Sequence, residues 1–111
     1  MTEESVFLIV EGWLIPGEFE LFKKYRMKIL DILEKYNPQY LFYSHAFEWV
    51  FNDTDEEYPT GIEVIEFKDE KSAKLAISEL SAKEIKEFEK KVFKKVRCYL
   101  SRLAKPKELK L

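Results

Sequence analysis

The chain has 111 residues, a formal net charge of −2 and one cysteine, and 46% of its residues are hydrophobic. This length fits a single domain, 1–111, and the composition is that of a globular rather than a disordered chain. One cysteine excludes an internal disulfide and a thiolate cage for a metal ion. No apolar run approaches the ~20 residues that span a bilayer, and acidic residues replace the positive charge of a signal peptide. We therefore expect a cytoplasmic protein without membrane contact.

Charge is distributed unevenly along the chain. Residues 1–82 hold eight basic and seventeen acidic residues, whereas the part from Lys83 onward holds eleven basic and four acidic ones. A basic C-terminal region can steer a partner or pair subunits, and it is also the pattern of a solvated helix. The abundance of Lys and Glu, with few amides, is typical of proteins from hot environments.

The first 38 residues predict a strand and a long helix. Val6–Val10 is a continuous apolar run, which is typical of a strand buried on both faces. Pro16 and Gly17 mark a turn, and the helix after it ends at Asn37-Pro38 because proline cannot continue the helical hydrogen bonds. The apolar stripe of this helix consists of Phe19, Phe22, Ile29, Leu30, Leu33 and Tyr36.

The segment Gln39–Phe51, QYLFYSHAFEWVF, is rich in aromatic residues and contains no Gly or Pro. It predicts one long strand with an apolar face that water alone would not cover. That face consists of Leu41, Tyr43, His45, Phe47, Trp49 and Phe51, and the opposite face of Tyr40, Phe42, Ser44, Ala46, Glu48 and Val50. Four acidic residues in 52–58 then predict an exposed loop.

The stretch Gly61–Leu80 predicts a strand that leads directly into a helix. The strand is a β-rich apolar run, and the helix has apolar residues spaced three and four apart. Asp69 and Glu70 lie at the predicted helix start, where acidic groups complement the free N–H groups. The helix must therefore fold back onto the sheet that contains the strand.

The last third of the chain predicts a second helical piece and a final strand. Ser81 and Glu84 have the spacing of a capping box. Val96–Leu103 alternates apolar with polar residues, as a strand does, and we expect Cys98 to be a buried small hydrophobe there. Residues 104–111 are expected to form a loose tail.

The element order is β-α-β-β-α-β, with the second helix in two pieces. This order predicts an α+β, ferredoxin-like fold: a four-stranded antiparallel sheet with its helices on one face. The predicted strands are apolar on both faces, so the bare face of the sheet is hydrophobic too. Two copies pressed together through that face would cover it, which predicts a homodimer.

This combination resembles the dimeric α+β barrel superfamily over nearly the whole chain. The resemblance is carried by Phe19 and Phe22, by the N-P-Q-Y turn into the second strand, and by Glu66-Phe67 at the end of the third. An acidic helix start and Ala73 follow that pair. The sequence is most similar to an uncharacterised branch of small barrels whose third strand ends in Glu-Phe, although Asn37-Pro38 replaces the paired glycines of that branch.

The resemblance implies a function of the kind found in the superfamily. Its members include cofactor-free monooxygenases, haem-handling proteins, lactone isomerases and ligand-sensing domains, which share a hydrophobic pocket. It implies a homodimer that binds a small hydrophobic ligand or acts as a monooxygenase-like or isomerase-like enzyme without a cofactor. No spacing in the sequence predicts a metal site.

The sequence points to five candidate site residues. If the second and third strands form a hairpin, His45 lies opposite residues 65–67 and can pair with Glu66, which would give an imidazole and a carboxylate able to move a proton. We predict catalytic roles for these two residues and a ligand-binding pocket bordered by Trp13, Tyr43 and Tyr99. A one-residue change of register would separate His45 from Glu66, so a structural role for both is the alternative.

Two other functions are compatible with the element order. An RNA-recognition motif has the same βαββαβ order, but Ile62 and Val64 stand where that family stacks aromatic residues on bases, and Glu63 and Glu66 would repel phosphate. Nucleic acid is therefore the disfavoured partner. The second alternative is a purely structural dimer with a filled interior.

Overall fold

A computed structural model describes residues 1–105 and 107. The elements are β1 (Val6–Leu14), α1 (Phe19–Leu33), β2 (Gln39–Ser44), β3 (Gly61–Phe67), α2 (Glu70–Leu80), α3 (Lys83–Val92) and β4 (Phe93–Ser101), with a 3₁₀ turn at Glu34–Tyr36. Within the described ranges, no helix is long and apolar enough to cross a membrane. The predicted loose tail, 104–111, lies largely outside the described residues.

The four strands form one antiparallel sheet in the order β2-β3-β1-β4. The central strand β1 pairs with both β3 and β4, so that Phe7 lies between Glu66 and Ser101. The second helix is split into α2 and α3, as the sequence predicted. The ferredoxin-like α+β fold is therefore confirmed.

The hydrophobic core lies between the sheet and the helices. On the sheet side it contains Val6 and Leu8 of β1 and Ile65 and Phe67 of β3, and on the helix side Leu33, Ala73 and Ala76. The two alanines are completely buried, and their small side chains let α2 lie close to the sheet. Fully burying one of the larger side chains stabilises a fold by about 1.5–3 kcal/mol.

The helix starts show one confirmed and one wrong prediction. Asp69 precedes α2 and its carboxylate accepts a hydrogen bond from the Ser72 N–H at 2.8 Å, as an N-cap should. The capping box at Ser81 and Glu84 does not form, because α3 begins only at Lys83. The Ser81 hydroxyl instead donates back to the carbonyl of Ile77 in the last turn of α2.

The strand β2 is much shorter than predicted, since it ends at Ser44 rather than Phe51. Its partner β3 begins at Gly61, just after Pro59, which cannot donate to a ladder, so the residues beyond Ser44 have no strand beside them. The pairing also shifts by one residue between Tyr40 and Phe42. Tyr40 and Tyr43 therefore lie on the same face, contrary to the predicted alternation.

The face of the sheet opposite the helices carries apolar side chains, including those of Ile9, Val64 and Phe42. Beyond β2, residues 45–60 form a long connection without regular structure. Phe47, Val50 and Phe51 in this connection are at least 80% exposed. The aromatic segment thus presents an apolar surface, as the sequence predicted, although it does so from a loop rather than a strand.

Candidate functional site

A cavity of about 280 Å³ lies between the helix-facing side of the sheet and the three helices. The lining is mostly apolar and includes Leu8, Val10, Ile29, Leu33, Ile65 and Leu80. An engineered protein cavity of about 150 Å³ holds a benzene molecule. This cavity therefore has room for a ligand of about two fused rings.

A bidentate ion pair between Arg26 of α1 and Glu63 of β3 stands in the cavity wall. Arg26 Nη1 donates to Glu63 Oε1 at 2.8 Å, and Nη2 donates to Oε2 at 2.7 Å. The Tyr43 ring lies over the guanidinium, with 5.0 Å from Arg26 Cζ to the ring centroid. The hydrogen bonds to Glu63 raise the pKa of Arg26, and burial raises the pKa of the Tyr43 phenol. At neutral pH the site therefore offers a guanidinium, a carboxylate and an uncharged phenol.

A second cluster of polar side chains lines the cavity beneath α3. The Tyr25 hydroxyl donates to Glu89 Oε2 at 3.2 Å, and Lys86 Nζ lies 3.4 Å from the same oxygen. Burial, reinforced by the charge of Glu89, strongly raises the pKa of Tyr25, so its phenol is uncharged at neutral pH. Cys98 borders the cavity beside this group.

The prediction that Cys98 is buried is wrong. The residue is exposed because it borders the cavity instead of packing into the core. The surrounding walls still withdraw the thiol from bulk water, and this desolvation raises its pKa. The thiol is therefore protonated at neutral pH and is a poor nucleophile.

Two glycines allow aromatic rings to close one end of the cavity. Gly12 and Gly61 are paired across β1 and β3. A Cβ atom on Gly61 would lie 2.6 Å from the Tyr43 hydroxyl, and one on Gly12 would lie 2.7 Å from the Phe93 ring. Phe22 of α1 packs against both rings, with centroid distances of 6.3 Å to Tyr43 and 5.8 Å to Phe93. These three rings form an aromatic wall across the four strands.

The predicted ligand-binding residues are divided between two places. Tyr43 lines the cavity, and Tyr99 borders it, although its pairing with Ile9 places the Tyr99 side chain on the helix-free face. Trp13 is buried elsewhere: its indole N–H donates to the Glu57 carbonyl at 2.8 Å, and Lys95 and Arg97 lie over its ring. Alternation along β1 directs Trp13 away from the helices, because Gly12 occupies the helix-facing position.

The structure does not bring His45 and Glu66 together. His45 follows the end of β2, where its Nδ1 lies 3.0 Å from the Thr60 carbonyl and its ring contacts Tyr43. Glu66 lies at the opposite end of the β2–β3 ladder, across from Gln39. The predicted register, with His45 opposite residues 65–67, is therefore wrong.

Glu66 has its own structural partners. Its side chain is buried and accepts a hydrogen bond from the Ser5 hydroxyl at 2.7 Å, while the terminal ammonium of Met1 lies 3.7 Å away. The aromatic cavity and this carboxylate are on different faces of the sheet, since Glu63 and Ile65 take the helix-facing positions of β3.

Sequence reasoning missed Arg26, Glu89 and the role of Glu63. Arg26 lies four residues after Phe22 and three before Ile29, so it belongs to the buried stripe of its helix. Glu63 alternates with Ile65 and Phe67, which marks the same core-facing side of β3. These spacings could have revealed the pair. Glu89 carries the same signal, because it lies four residues after Ile85 and three before Val92, the two buried residues of its helix.

The cavity chemistry fits an organic ligand better than a metal ion. In the described part of the chain, no three His, Cys, Asp or Glu side chains come together as metal ligands must. Both carboxylates of the cavity, those of Glu63 and Glu89, already have basic partners.

The sequence matches no protein-family model and no curated protein. Solved structures give a clear likeness in three dimensions. A protein of unknown function from Rhodopseudomonas palustris superposes with a TM-score of 0.67 at 14% identity, covering 95% of this chain and 86% of that one. This likeness shows a shared ferredoxin-like α+β fold.

Two further solved structures are similar. A NIPSNAP-like domain protein from Burkholderia xenovorans has a TM-score of 0.55 at 11% identity, covering 96% of this chain and 99% of that one. SnoaB, a cofactor-independent oxygenase from Streptomyces nogalater, has a TM-score of 0.57 at 9% identity, covering 93% and 98%. At these identities the likeness shows the ferredoxin-like α+β fold alone.

Proposed function

We propose that the protein binds a small, mainly apolar ligand in the cavity between its sheet and helices. The observation that carries this proposal is the Arg26–Glu63 ion pair in a mostly apolar lining. An ion pair withdrawn from water is commonly no more stabilising than apolar side chains of the same volume. A pocket with apolar walls and a few convergent polar groups is the usual form of a small-molecule site.

The charge balance of the pair favours an uncharged ligand. A carboxylate ligand would have to compete with Glu63 for Arg26, and a cation would have to compete with Arg26 for Glu63. A neutral hydroxyl, enol or amide can instead use the donors and acceptors that the pair leaves free. Phenols and lactones are therefore better candidates than fatty acids.

We propose proton transfer by Glu63 as the accompanying chemistry. The Glu63 carboxylate can accept a proton from a bound phenol or enol, and the uncharged Tyr43 phenol can donate a hydrogen bond to the resulting anion. Return of the proton to a carbon atom of that anion, rather than to its oxygen, would be an isomerisation. Reaction with dioxygen would convert a CH₂ group to C=O and release the second oxygen as water. The fold shared with the cofactor-independent oxygenase SnoaB supports the proposal of oxygenase chemistry.

A thermal-shift and turnover screen with phenols and lactones tests the site. Wild type should be stabilised by some of these compounds, and Glu63→Gln should lose most of that response and any turnover. Glu66→Gln is the matched control, because it changes a buried carboxyl group outside the cavity. Loss of turnover in Glu66→Gln but not in Glu63→Gln would instead support the sequence-based prediction of a catalytic Glu66.

We also propose that the protein is a homodimer formed through the helix-free face of the sheet. Phe42 on that face is 52% exposed, and Ile9 and Val64 lie beside it. Leaving such apolar area in water costs about 25 cal/mol per Å². Light scattering coupled to size exclusion should give twice the monomer mass of 13.3 kDa. A monomer mass at micromolar concentration, with no change in Phe42→Lys, would contradict the dimer.

A further inference from the structure

The cavity contains two carboxylate–cation pairs rather than one. The Arg26–Glu63 pair joins α1 to β3, and the Lys86–Glu89 pair belongs to α3, where the Tyr25 hydroxyl also bonds to Glu89. All five side chains border the same cavity. Proton transfer at one end, as proposed above, uses only the first pair and leaves the second without a role.

The two pairs lie at opposite ends of one rung of the sheet, that is, one row of residues paired across neighbouring strands. Glu63 of β3 pairs with Val10 of β1, and Val10 pairs with Cys98 of β4. Cys98 lies close enough to Glu89 and Lys86 to be affected by both charges. Since neighbouring strands are about 4.8 Å apart, the outer members of this rung, Glu63 and Cys98, are separated by about 10 Å. Val10 provides an apolar floor between them.

The space between the two pairs lies between the sheet, with Val10 as its floor, and the helices. Along the strand direction, the aromatic wall of Phe22, Tyr43 and Phe93 closes it at the Gly12–Gly61 rung, two residues from Glu63. On the other side, Leu8 and Ile65 close it two residues away. The walls at Gly61 and Ile65 are four residues of strand apart, which is about 13 Å. The direction that has polar groups at both ends runs across the strands, from Glu63 towards Glu89.

Each end of this direction presents a carboxylate that can still accept hydrogen bonds. An ionised carboxylate has about four acceptor sites. Glu63 uses two of them for Arg26, and Glu89 receives bonds from Tyr25 and Lys86 on one oxygen, Oε2. Each pair is formally neutral, so neither end favours a charged ligand group.

We propose that the ligand is a flat, uncharged molecule with a hydrogen-bond donor at each end, bound across the strands between Glu63 and Glu89. A dihydroxy-substituted fused ring is the simplest member of this class. Glu89, with Tyr25 beside it, is then the second recognition site of the cavity. This inference rests on the proposed ligand-binding function and adds to it the two-ended character of the ligand.

Two probes that differ by one hydroxyl group test the inference. 2-Naphthol can bond at one end only, whereas 2,6-dihydroxynaphthalene can bond at both. A further hydrogen bond to a charged acceptor should make the diol bind wild type about tenfold more tightly, as measured by isothermal titration calorimetry. In Glu89→Gln the advantage of the diol should fall below about twofold. The exposed Glu84 of the same helix gives the matched control, and Glu84→Gln should keep the tenfold ratio.

The outcomes separate this inference from the proposed function. If both probes bind wild type with equal affinity, the two-ended ligand is wrong, but ligand binding in the cavity stands. The inference is also overturned if the diol keeps its advantage in Glu89→Gln. If neither probe binds, the proposed binding of phenolic ligands fails, and the inference fails with it. The comparison on wild type decides the question even if Glu89→Gln does not fold.

Discussion

Replacing Arg26 by methionine should destabilise the protein strongly, because it leaves the Glu63 carboxylate unpaired in an apolar wall. The Glu63 side chain is only 12% exposed, and the Arg26 side chain is 31% exposed. Methionine keeps most of the apolar stem of arginine but provides no donor. The carboxylate would then lose two hydrogen bonds of 2.7–2.8 Å without gaining access to water.

The expected loss is about 2–3 kcal/mol in the free energy of unfolding. Removing one partner of a fully buried ion pair costs about 3–5 kcal/mol, and the partial exposure of Arg26 lowers that figure. For a domain of this size, about 4 °C of melting temperature corresponds to 1 kcal/mol, so the melting temperature should fall by about 8–12 °C. The double variant Arg26→Met/Glu63→Leu removes both charges and should recover most of the loss.

Urea denaturation of the wild type, both single variants and the double variant completes a double-mutant cycle. Lys23→Met is the matched control, because Lys23 pairs with Glu20 at 2.9 Å on the surface, where both side chains are more than half exposed. That change should alter stability by less than about 0.5 kcal/mol. If Arg26→Met is as mild as Lys23→Met, or if the two single losses simply add in the double variant, the argument for a desolvated pair is refuted.

Three further predictions concern other parts of the molecule. A hydrogen bond from Lys95 holds the pKa of Glu56 below its usual value of 4.5, so this contact is complete above pH 4.5 and is lost as the pH falls through the lowered value. Lys95 also lies over the ring of Trp13. In a Trp49→Phe background, the fluorescence of Trp13 should therefore change in acid before global unfolding. A fluorescence signal that follows only unfolding would contradict this. Cys98 should react more slowly with iodoacetamide in the folded protein than in urea, because its pKa is raised; equal rates would count against the raised pKa. Labelled RNA should bind only weakly and in a salt-sensitive way, and a tight complex abolished by Ile62→Ala would reverse that expectation.

The fold was predictable because each element carries its own local signal. Helical spacing after Pro16-Gly17 and the apolar run at Gly61–Phe67 depend on near neighbours in the sequence. The length of β2 was not predictable in the same way, since a strand ends where its partner ends. The end of β2 at Ser44 is determined by Pro59, which lies fifteen residues later in the sequence.

The site was predicted only in part, for a related reason. The sequence predicts Tyr43 at the site because an aromatic residue in a strand is conspicuous. It predicts His45 and Glu66 as the catalytic pair, whereas the polar residues beside Tyr43 in the structure are Arg26 and Glu63. The register is set by the long connection 45–60, which places Ser44 opposite Ile62 and Gln39 opposite Glu66, and this pairing has no local signal in the sequence. The sequence does not predict a partly buried Arg26, because charged residues in a helix are normally solvated. In the structure, Glu63 compensates the charge of Arg26.

The central position of β1 has a consequence for synthesis of the chain on the ribosome. β1 is an apolar strand, and its partner β4 is made about 90 residues later, with Phe7 opposite Ser101. At about 5–20 residues per second, β1 waits roughly 5–20 s before β4 exists. During this time its apolar edge is open to chaperones or to other nascent chains. Folding after release should therefore be limited by this late closure, and slowed translation of residues 93–101 should increase aggregation.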